Sequence, residues 1–229
     1  MSKKTNSVSK INRLVVIGLG LIGSSLAAAV RKRGLAKKII GLSRRQSTLE
    51  IALSSGIVDH CVQSIDEIAP ELGKDDIVII GVPTLSVSSV LADIVPRLTN
   101  DVTITDVASV KGSVVESARE LFGAVPAQLV PGHPIAGSEK SGVTAANVDL
   151  FENHRIIITP VEETAADHVS RVTALWQGVG ASVSTMTVGE HDQILAATSH
   201  LPHFLAYSLV DTLAGLNEKF NPARVSTSE

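Results

Sequence analysis

The sequence predicts an α/β fold in which helices cover both faces of a doubly wound, mostly parallel sheet. Short apolar runs alternate with amphipathic segments of helical periodicity along most of the chain, an order that is typical of right-handed β-α-β crossovers. Of the 229 residues, 44% are hydrophobic but only 3% are aromatic. The core must therefore consist mainly of Val, Ile, Leu and Ala, as expected of strands that are buried on both faces.

The alternation predicts each element in turn. Strands are predicted at residues 13–17, 38–42, 76–80, 102–105, 128–130, 155–159 and 181–184, and helices at residues 21–33, 48–54, 86–97, 112–121 and 165–177. From residue 188 to about residue 216 the pattern becomes that of one long helix, in which only Pro202 is expected to cause a kink. We therefore predict a flexible tail at residues 1–10, a sheet domain at residues 11–186 and the start of a helical domain at residues 187–229.

The overall charge and the single cysteine exclude several classes of partner and location. The formal net charge is −3, whereas proteins that bind nucleic acid or anionic membranes usually present basic surfaces. We therefore predict neither partner. Cys61 is the only cysteine, so no internal disulfide can form, and the reducing cytoplasm is the expected location. We expect Cys61 to be a small buried hydrophobic residue rather than a reactive thiol.

One uncharged segment, residues 14–30, follows basic residues as signal peptides and membrane spans do. It reaches only the lower limit of the ~17–25 residues that a spanning helix needs. It also contains glycines whose spacing has another explanation, so we disfavour the membrane interpretation.

The segment Gly-Leu-Gly-Leu-Ile-Gly that begins at Gly18 predicts a dinucleotide-binding, Rossmann-type sheet. It follows a strand and opens a helix, the context in which G-x-G-x-x-G binds a pyrophosphate. Gly18 permits the tight turn, Gly20 lets the backbone approach the phosphates, and Gly23 lets the helix pack closely on the strand. The first helical turn, which includes Leu21 and Ile22, presents free N–H groups to the phosphates. A plain glycine-rich turn is the alternative.

The end of the second predicted strand favours NADP over NAD as the cofactor. NAD sites usually carry Asp or Glu there, which binds the ribose 2′-hydroxyl, but this chain has no carboxylate before Glu50. A hydroxyl followed by guanidinium groups binds a 2′-phosphate through charge-assisted hydrogen bonds. We therefore expect Ser43 and Arg44 to hold that phosphate. The residues expected to assist are Arg45, Ser47 or Thr48. A solvated basic turn is the alternative interpretation, and NAD is the alternative cofactor.

Further residues are expected at the same crevice, because ligands of open α/β sheets bind beyond the carboxyl ends of the strands. Val82, Pro83 and Thr84 follow the strand predicted at residues 76–80 and should line the cofactor cleft. His133 also follows a strand and lies between a glycine and a proline, which restrict its backbone. Beside a cofactor cleft we interpret it as catalytic rather than as an inert core histidine.

Four motifs occur along the chain in a fixed order. They are Gly-Leu-Gly-Leu-Ile-Gly at 18–23, Asp-Val-Ala-Ser-Val-Lys at 106–111, Gly-His-Pro-Ile-Ala-Gly at 132–137 and Ser-His-Leu-Pro-His at 199–203. In order and spacing these motifs resemble the prephenate/arogenate dehydrogenase family, and the resemblance extends over residues 11–217. Ser43 followed by Arg44 is similar to the NADP-using members.

The resemblance implies roles for individual residues. His133 would hydrogen-bond the ring hydroxyl of the substrate and accept its proton as hydride leaves, and Ser109 would help to hold that histidine and hydroxyl. Ser138 and Glu139 would border the substrate pocket, and His200 would face the substrate from the long helix. The implied function is NADP-dependent oxidative decarboxylation of prephenate to 4-hydroxyphenylpyruvate in tyrosine biosynthesis, by a cytoplasmic homodimer without a metal.

Alternatives stay open at this point. The substrate could instead be arogenate, the amino analogue of prephenate. β-Hydroxyacid dehydrogenases share the glycine segment but usually rely on a lysine in the second-domain helix, where this chain has His200 and His203. The chain could also be a non-catalytic NADP-binding fragment. The His-x-x-His spacing could suggest a metal pair, but Pro202 disturbs that geometry and no third ligand has suitable spacing.

The chain departs from the family at one segment. The arginine-rich Gly-Phe-(Arg/Lys)-Asp-x-(Thr)-Arg segment, which binds a substrate carboxylate, does not occur in these residues, and the neighbours of Arg224 do not match it. We therefore expect a truncated helical domain, intact cofactor binding and weak turnover. Lys111 could contact the cofactor, but near a helix start it could simply be solvent-exposed, so it is left out of the catalytic set. The residues expected to be solvated or structural are His60, His154, His168 and, in the core, Trp176.

Overall fold

The computed structural model of the protein describes residues 11–219, apart from the side chains of His203 and of residues 216–219. The flexible tail predicted at residues 1–10 lies outside the described residues, as does the end of the predicted helical domain. The chain divides into a larger unit that ends at Val188 and a smaller unit that begins at Gly189.

The larger unit is built on a six-stranded parallel sheet, which confirms the predicted α/β fold. Its strands are β1 (Ile11–Ile17), β2 (Ala36–Leu42), β3 (His60–Val62), β4 (Ile77–Ile80), β5 (Thr103–Asp106) and β6 (Leu129–Val130). They lie in the order β3-β2-β1-β4-β5-β6, so the direction of winding reverses between β1 and β4. Open sheets bind ligands beyond the carboxyl ends of the strands at such a reversal.

Helices cover both faces of this sheet, and each face has its own apolar core. The helices are α1 (Leu21–Arg33), α2 (Gln46–Ser54), α3 (Val87–Ile94), α4 (Lys111–Phe122) and α5 (Ala166–Gly178). Side chains alternate between faces along a strand. Leu14 and Val16 of β1 therefore pack with α1, α2 and α5, whereas Val15 and Ile17 pack with α3 and α4. Trp176 is fully buried in the first core, as predicted, and contacts the ring of Phe151 edge to face, with centroids 5.1 Å apart.

A second, three-stranded sheet consists of β7 (Gly132–Ile135), β8 (Arg155–Ile158) and β9 (Ser182–Thr185). Strand β7 is antiparallel to β8, and β8 is parallel to β9. The sequence predicts β8 and β9, but it does not predict that they leave the large sheet or that β7 is a strand. Pro134 explains why β7 was not predicted as a strand. Proline has no N–H to donate to a neighbouring strand, so within sheets it is confined to edge strands such as β7. Strand β3 was also not predicted, because its three residues are too few to show alternation.

The smaller unit is helical among its described residues. It contains most of α6 (Val188–Leu195), a π-helical turn (Ala196–His200) and α7 (Leu201–Lys219). Pro202 lies just after this π turn, and its missing N–H and its ring, which crowds the carbonyl four residues earlier, favour such a local departure from α-helical bonding. The predicted kink itself stays a prediction. No helix among the described residues combines the length and apolarity needed to span a bilayer.

Cys61 is half-buried rather than buried, which corrects the prediction for its side chain. Its Sγ lies 3.5 Å from the carbonyl oxygen of Leu49. Burial raises the pKa of the Cys61 thiol, and a raised pKa lowers the fraction of reactive thiolate.

His168 is a structural histidine that joins α5 to β5. Its side chain is only 5% exposed, and its Nδ1 lies 2.8 Å from Oγ1 of Thr103. Burial lowers the pKa of His168, and the neighbouring Arg171 lowers it further, although Asp167 opposes the shift. The folded protein therefore favours the neutral imidazole.

We expect the free energy of unfolding to decrease as the pH falls below about 6.5, because the unfolded chain then binds a proton at His168 that the folded chain resists. His168→Gln should lower this free energy by about 1 kcal/mol near neutral pH, through loss of the Thr103 hydrogen bond. In this variant the free energy of unfolding should also decrease less steeply towards acid pH. Urea denaturation at a series of pH values measures both effects.

The control is His60→Gln, which makes the same substitution at an exposed histidine of β3 that lies outside the contact between α5 and β5. Equal slopes in the parent and in His168→Gln would contradict the assignment.

Candidate active site

Three neighbouring strands of the large sheet end at the same level. Ile17 of β1 is aligned with Ile80 of β4, and Ile80 is aligned with Asp106 of β5. The N–H of Gly81 donates to the carbonyl of Ile17 at 2.7 Å, and the N–H of Val107 donates to that of Ile80 at 3.2 Å. Adjacent strands lie about 4.8 Å apart, and β4 lies between β1 and β5. The turn after β1 and the loop after β5 therefore leave the same edge of the sheet about 10 Å from each other.

The glycines of the turn after β1 have different surroundings. Gly18 has a φ of +93°, and a Cβ there would lie 2.6 Å from the carbonyl oxygen of Gly81. A Cβ on Gly23 would lie 2.2 Å from the carbonyl oxygen of Gly18. Both positions therefore require glycine for close packing. A Cβ on Gly20 would meet no atom within 4 Å. A phosphate group of a ligand can therefore approach the backbone at Gly20.

A cleft of about 640 Å³ opens beside this turn, large enough for much of a nucleotide. The predicted cofactor residues that line it are Gly18, Gly20, Ser43, Arg44, Arg45, Val82 and Pro83, together with Thr48. The predicted residues that do not line it are Leu21, Ile22, Gly23, Ser47 and Thr84. The first helical turn still begins at the cleft, because Gly20 is the N-cap of α1 and no side chain caps its N–H groups.

Part of the cleft wall was not predicted from the sequence. Gln63 and Ser64 follow the short strand β3, and Gly142 and Val143 come from the segment after β7. The latter segment is held against α1, where the N–H of Asn147 donates to the Ser25 hydroxyl at 2.9 Å. No local pattern in the sequence could indicate this wall, because it approaches the glycine turn only through tertiary packing.

The basic segment after β2 is available for an anion. The Ser43 hydroxyl accepts a hydrogen bond from the N–H of Arg45 at 3.2 Å. Arg44 and Arg45 are exposed, and neither takes part in the ion pairs of the described residues. Arg45 is also the N-cap of α2, whose helix dipole adds positive potential at this end of the cleft.

The predicted catalytic residues lie on segments that leave the same edge of the sheet. Ser109 is exposed on the loop between β5 and α4. His133 is half-buried in β7, opposite Ile157 of β8. Ser138 and Glu139 are exposed on the loop that follows β7.

A buried ion pair joins these two segments. The side chains of Asp106 and Lys111 are both fully buried, and the Lys111 ammonium contacts Oδ2 of Asp106 directly. Lys111 Nζ also donates to the carbonyl oxygen of Gly132 at 2.6 Å, and the N–H of Gly132 donates to Oδ1 of Asp106 at 3.2 Å. The N–H of Ala108 donates to Oδ2 of Asp106 at 2.9 Å. The expectation that Lys111 could be solvent-exposed is therefore wrong. Its side chain is buried, and its ammonium group is bonded to Gly132 of β7.

His200 ends the π-helical turn of the smaller unit, and its predicted role at the substrate stays a prediction. Among the described side chains, no group of three or more His, Cys, Asp and Glu residues is arranged to hold a metal ion. The side chain of His203 lies outside that description, so the His-x-x-His pair is untested.

Comparison with known proteins relates this geometry to a family. Residues 26–185 match the prephenate dehydrogenase nucleotide-binding domain, and residues 187–227 match the prephenate dehydrogenase dimerization domain. A cyclohexadienyl dehydrogenase of Zymomonas mobilis is 33% identical over 90% of this chain and 69% of its own length. A prephenate dehydrogenase of Lactococcus lactis is 36% identical over 87% of this chain. The chain spans only about half (53%) of the Lactococcus protein.

Among solved structures, prephenate dehydrogenase of Aquifex aeolicus in complex with hydroxyphenyl propionate and NAD⁺ superposes with a TM-score of 0.83. It is 32% identical, and the match covers 90% of this chain and 70% of that one. The match to the nucleotide-binding domain alone extends over more than half of the 229 residues, and the chain therefore belongs to the prephenate dehydrogenase family.

Proposed function

We propose that the protein is an NADP-linked dehydrogenase that oxidises and decarboxylates prephenate to 4-hydroxyphenylpyruvate in tyrosine biosynthesis. The observation that carries this proposal is the shared edge of the sheet. The cleft beside Gly18 and Gly20 opens there, and the segments of Ser109 and His133 leave from the same edge. A cofactor that lies along this edge can extend from the basic segment after β2 towards the predicted catalytic residues.

The residues of the cleft fit the two charged parts of NADP. The pyrophosphate would lie over Gly20, where the backbone is open and the uncapped start of α1 offers N–H groups. The 2′-phosphate would bind Ser43 and the exposed guanidinium groups of Arg44 and Arg45. The absence of a carboxylate at the end of β2 removes the group that usually selects NAD.

The predicted side chains account for the proton movements of the reaction. When bound, NADP would supply the acceptor for hydride from the carbinol carbon of prephenate. His133 would accept the proton of the ring hydroxyl as that C–H bond breaks and would return it to the same oxygen once the ring is aromatic, and Ser109 would hold the hydroxyl in place. The ring carboxylate would leave as CO2, and formation of the aromatic ring would drive the step. These bond changes do not require a metal ion.

Arogenate is the alternative substrate, because it differs from prephenate only by an amino group in the side chain. The initial rates of both substrates with both NADP and NAD, measured on the full chain, test the proposal. Prephenate with NADP should give the highest kcat/KM. A higher kcat/KM with arogenate would replace prephenate as the substrate, and no turnover with either substrate would refute the enzymatic proposal.

We expect Arg44→Ala to weaken NADP binding about 10- to 100-fold and to leave NAD binding nearly unchanged, because one charge-assisted hydrogen bond contributes about 1.5–3 kcal/mol. Ser43→Asp should favour NAD, since its carboxylate repels a 2′-phosphate. Quenching of tryptophan fluorescence or calorimetry measures the dissociation constants. The charge-matched control is Lys37→Ala, at an exposed position near the opposite end of β2. Equal losses for both cofactors in Arg44→Ala would argue against a 2′-phosphate site.

Removal of the proposed proton acceptor should affect turnover rather than cofactor binding. We expect His133→Asn to lower kcat about 10²- to 10⁴-fold and to leave the dissociation constant of NADP nearly unchanged. Steady-state rates and cofactor titrations separate the two effects. His154→Asn replaces an exposed histidine as the control, and a similar loss of kcat there, or none at His133, would exclude the assigned role.

We also propose that the protein is a cytoplasmic homodimer assembled through its C-terminal helix. The described side chains of α7 include exposed apolar residues, namely Leu201, Phe204, Leu205, Tyr207, Leu209, Val210 and Leu213. Such a patch on one helix is typical of a protein–protein interface. The match of residues 187–227 to a dimerization domain supports the same proposal.

Light scattering after size-exclusion chromatography should give about twice the 24.0 kDa mass of the chain. Phe204→Glu combined with Leu205→Glu should shift the chain towards the monomer, because two charges at an apolar interface lose their hydration. Leu53→Glu, at an exposed apolar position of α2, should not change the mass. A monomeric parent chain at high concentration would contradict the proposal.

A further inference from the structure

We propose that the buried Asp106–Lys111 ion pair is a positioning device that fixes the strand carrying His133 against the end of β5. The ion pair and its contacts with Gly132 are observed, and the kinetic part of the inference rests on the proposed function. Asp106 and Lys111 themselves would contact neither substrate nor cofactor, so they would act through His133 and Ser109.

The first argument concerns the direction of the Gly132 peptide groups. Residues of an antiparallel pair alternate between those bonded to the partner strand and those that face away from it. The N–H of Thr159 donates to the carbonyl of Pro131 at 2.9 Å, so the next residue, Gly132, turns its N–H and carbonyl away from β8. There the Asp106 carboxylate accepts the N–H and the Lys111 ammonium donates to the carbonyl. The ion pair thus supplies the bonds that a neighbouring strand would make.

The second argument concerns the close approach of β7 to β5. A Cβ at Gly132 would lie 3.1 Å from the carbonyl oxygen of Asp106 and 3.3 Å from Oγ1 of Thr105. Both distances are shorter than ordinary van der Waals contacts, so a larger residue would displace the neighbouring atoms of β5 by a few tenths of an ångström. Glycine at position 132 therefore keeps β7 within reach of the ion pair.

The third argument concerns how the ion pair holds both catalytic segments at once. Oδ2 of Asp106 accepts the N–H of Ala108, the residue that precedes Ser109. Oδ1 of the same carboxylate accepts the N–H of Gly132, the residue that precedes His133. Pro134 restricts the backbone on the other side of His133. One carboxylate therefore sets the separation between the Ser109 loop and the His133 strand.

Stability alone does not account for two fully buried charges at this place. The removal of both charges from water is unfavourable, and well-packed neutral residues often replace such a pair without loss of stability. A charged pair does, however, fix geometry through directional bonds, which apolar side chains cannot do. The position of this pair, between the two predicted catalytic segments, favours a role in positioning.

The double variant Asp106→Asn/Lys111→Met tests this inference in the full chain. It removes both charges and the ammonium bond to Gly132 while it keeps side chains of similar volume. We expect the variant to fold, judged by circular dichroism, and to bind NADP within about threefold of the parent chain. We expect kcat with prephenate to fall at least about 30-fold, with a smaller change in KM, because misplacement of a proton acceptor affects the chemical step.

A second readout does not depend on turnover. The imidazole signals of His133 can be assigned by NMR through their loss in His133→Asn, and then titrated in the chain without cofactor. We expect a changed titration midpoint or broadened signals for His133 in the double variant. If the parent chain does not oxidise prephenate, the proposed function fails, but this titration still decides whether the ion pair positions His133.

The matched control removes a surface ion pair by the same two substitutions. Lys32→Met/Asp149→Asn eliminates a pair whose Nζ–Oδ1 distance is 2.8 Å and whose side chains are 52% and 45% exposed. It should leave both kcat and the His133 signals unchanged. If the Asp106→Asn/Lys111→Met variant does not fold, Gly132→Ala serves in its place, because it keeps both charges and moves β7 only by steric contact. Unchanged kcat and His133 signals in a folded variant of either kind would overturn the inference.

Discussion

The ion pair between Asp106 and Lys111 is the interaction on which the geometry of the candidate site depends. Two fully buried charges are tolerated only where hydrogen bonds compensate for lost hydration. Here the compensating groups are backbone groups of two separate segments, the loop after β5 and the first residue of β7. The requirement to solvate the charges therefore fixes how the small sheet meets the large one. It also explains why a lysine at the start of α4 lies inside the protein.

Close backbone packing imposes a comparable constraint at the glycine turn after β1, beside the cofactor cleft. Strand β1, helix α1 and strand β4 meet so closely at Gly18, Gly23 and Gly81 that a methyl group at any of them would contact main-chain atoms. This packing leaves no room for a side chain at these three positions. Gly20, by contrast, borders open space, so the same short segment provides both a fixed support and a surface that a phosphate can approach.

The segment after β7 connects the two ends of the site. It begins beside His133, continues through the exposed Ser138 and Glu139, and returns to α1 at Val143, which also lines the cofactor cleft. The chain thus passes from the predicted substrate side to the cofactor side within a few residues. Loops that are held at both ends by a rigid scaffold commonly carry binding residues, and this one is anchored by the hydrogen bond between Asn147 and Ser25.

Local patterns in the sequence were sufficient to predict most of the large sheet. The central strands, the helices between them and the glycine turn each depend on apolar periodicity or on a backbone requirement within a few residues. The same reasoning found Ser43, Arg44 and Arg45, which line the cleft. It did not find β3 or β7, because a three-residue strand shows no alternation and a proline within a strand removes a ladder donor.

By itself, the sequence determined which residue types follow each strand. Because the carboxyl ends of parallel strands meet at one edge of the sheet, the sequence also determined that the nucleotide cleft and the segment containing His133 belong to that edge. Only the tertiary structure decided that strands β7 to β9 form a separate sheet, that Gly142 and Val143 complete the cleft, and that Lys111 is buried. The physical reason is that burial and long-range hydrogen bonds depend on segments far apart in the chain. Asp106 and Gly132 acquire their partnership only when β7 closes over the end of β5.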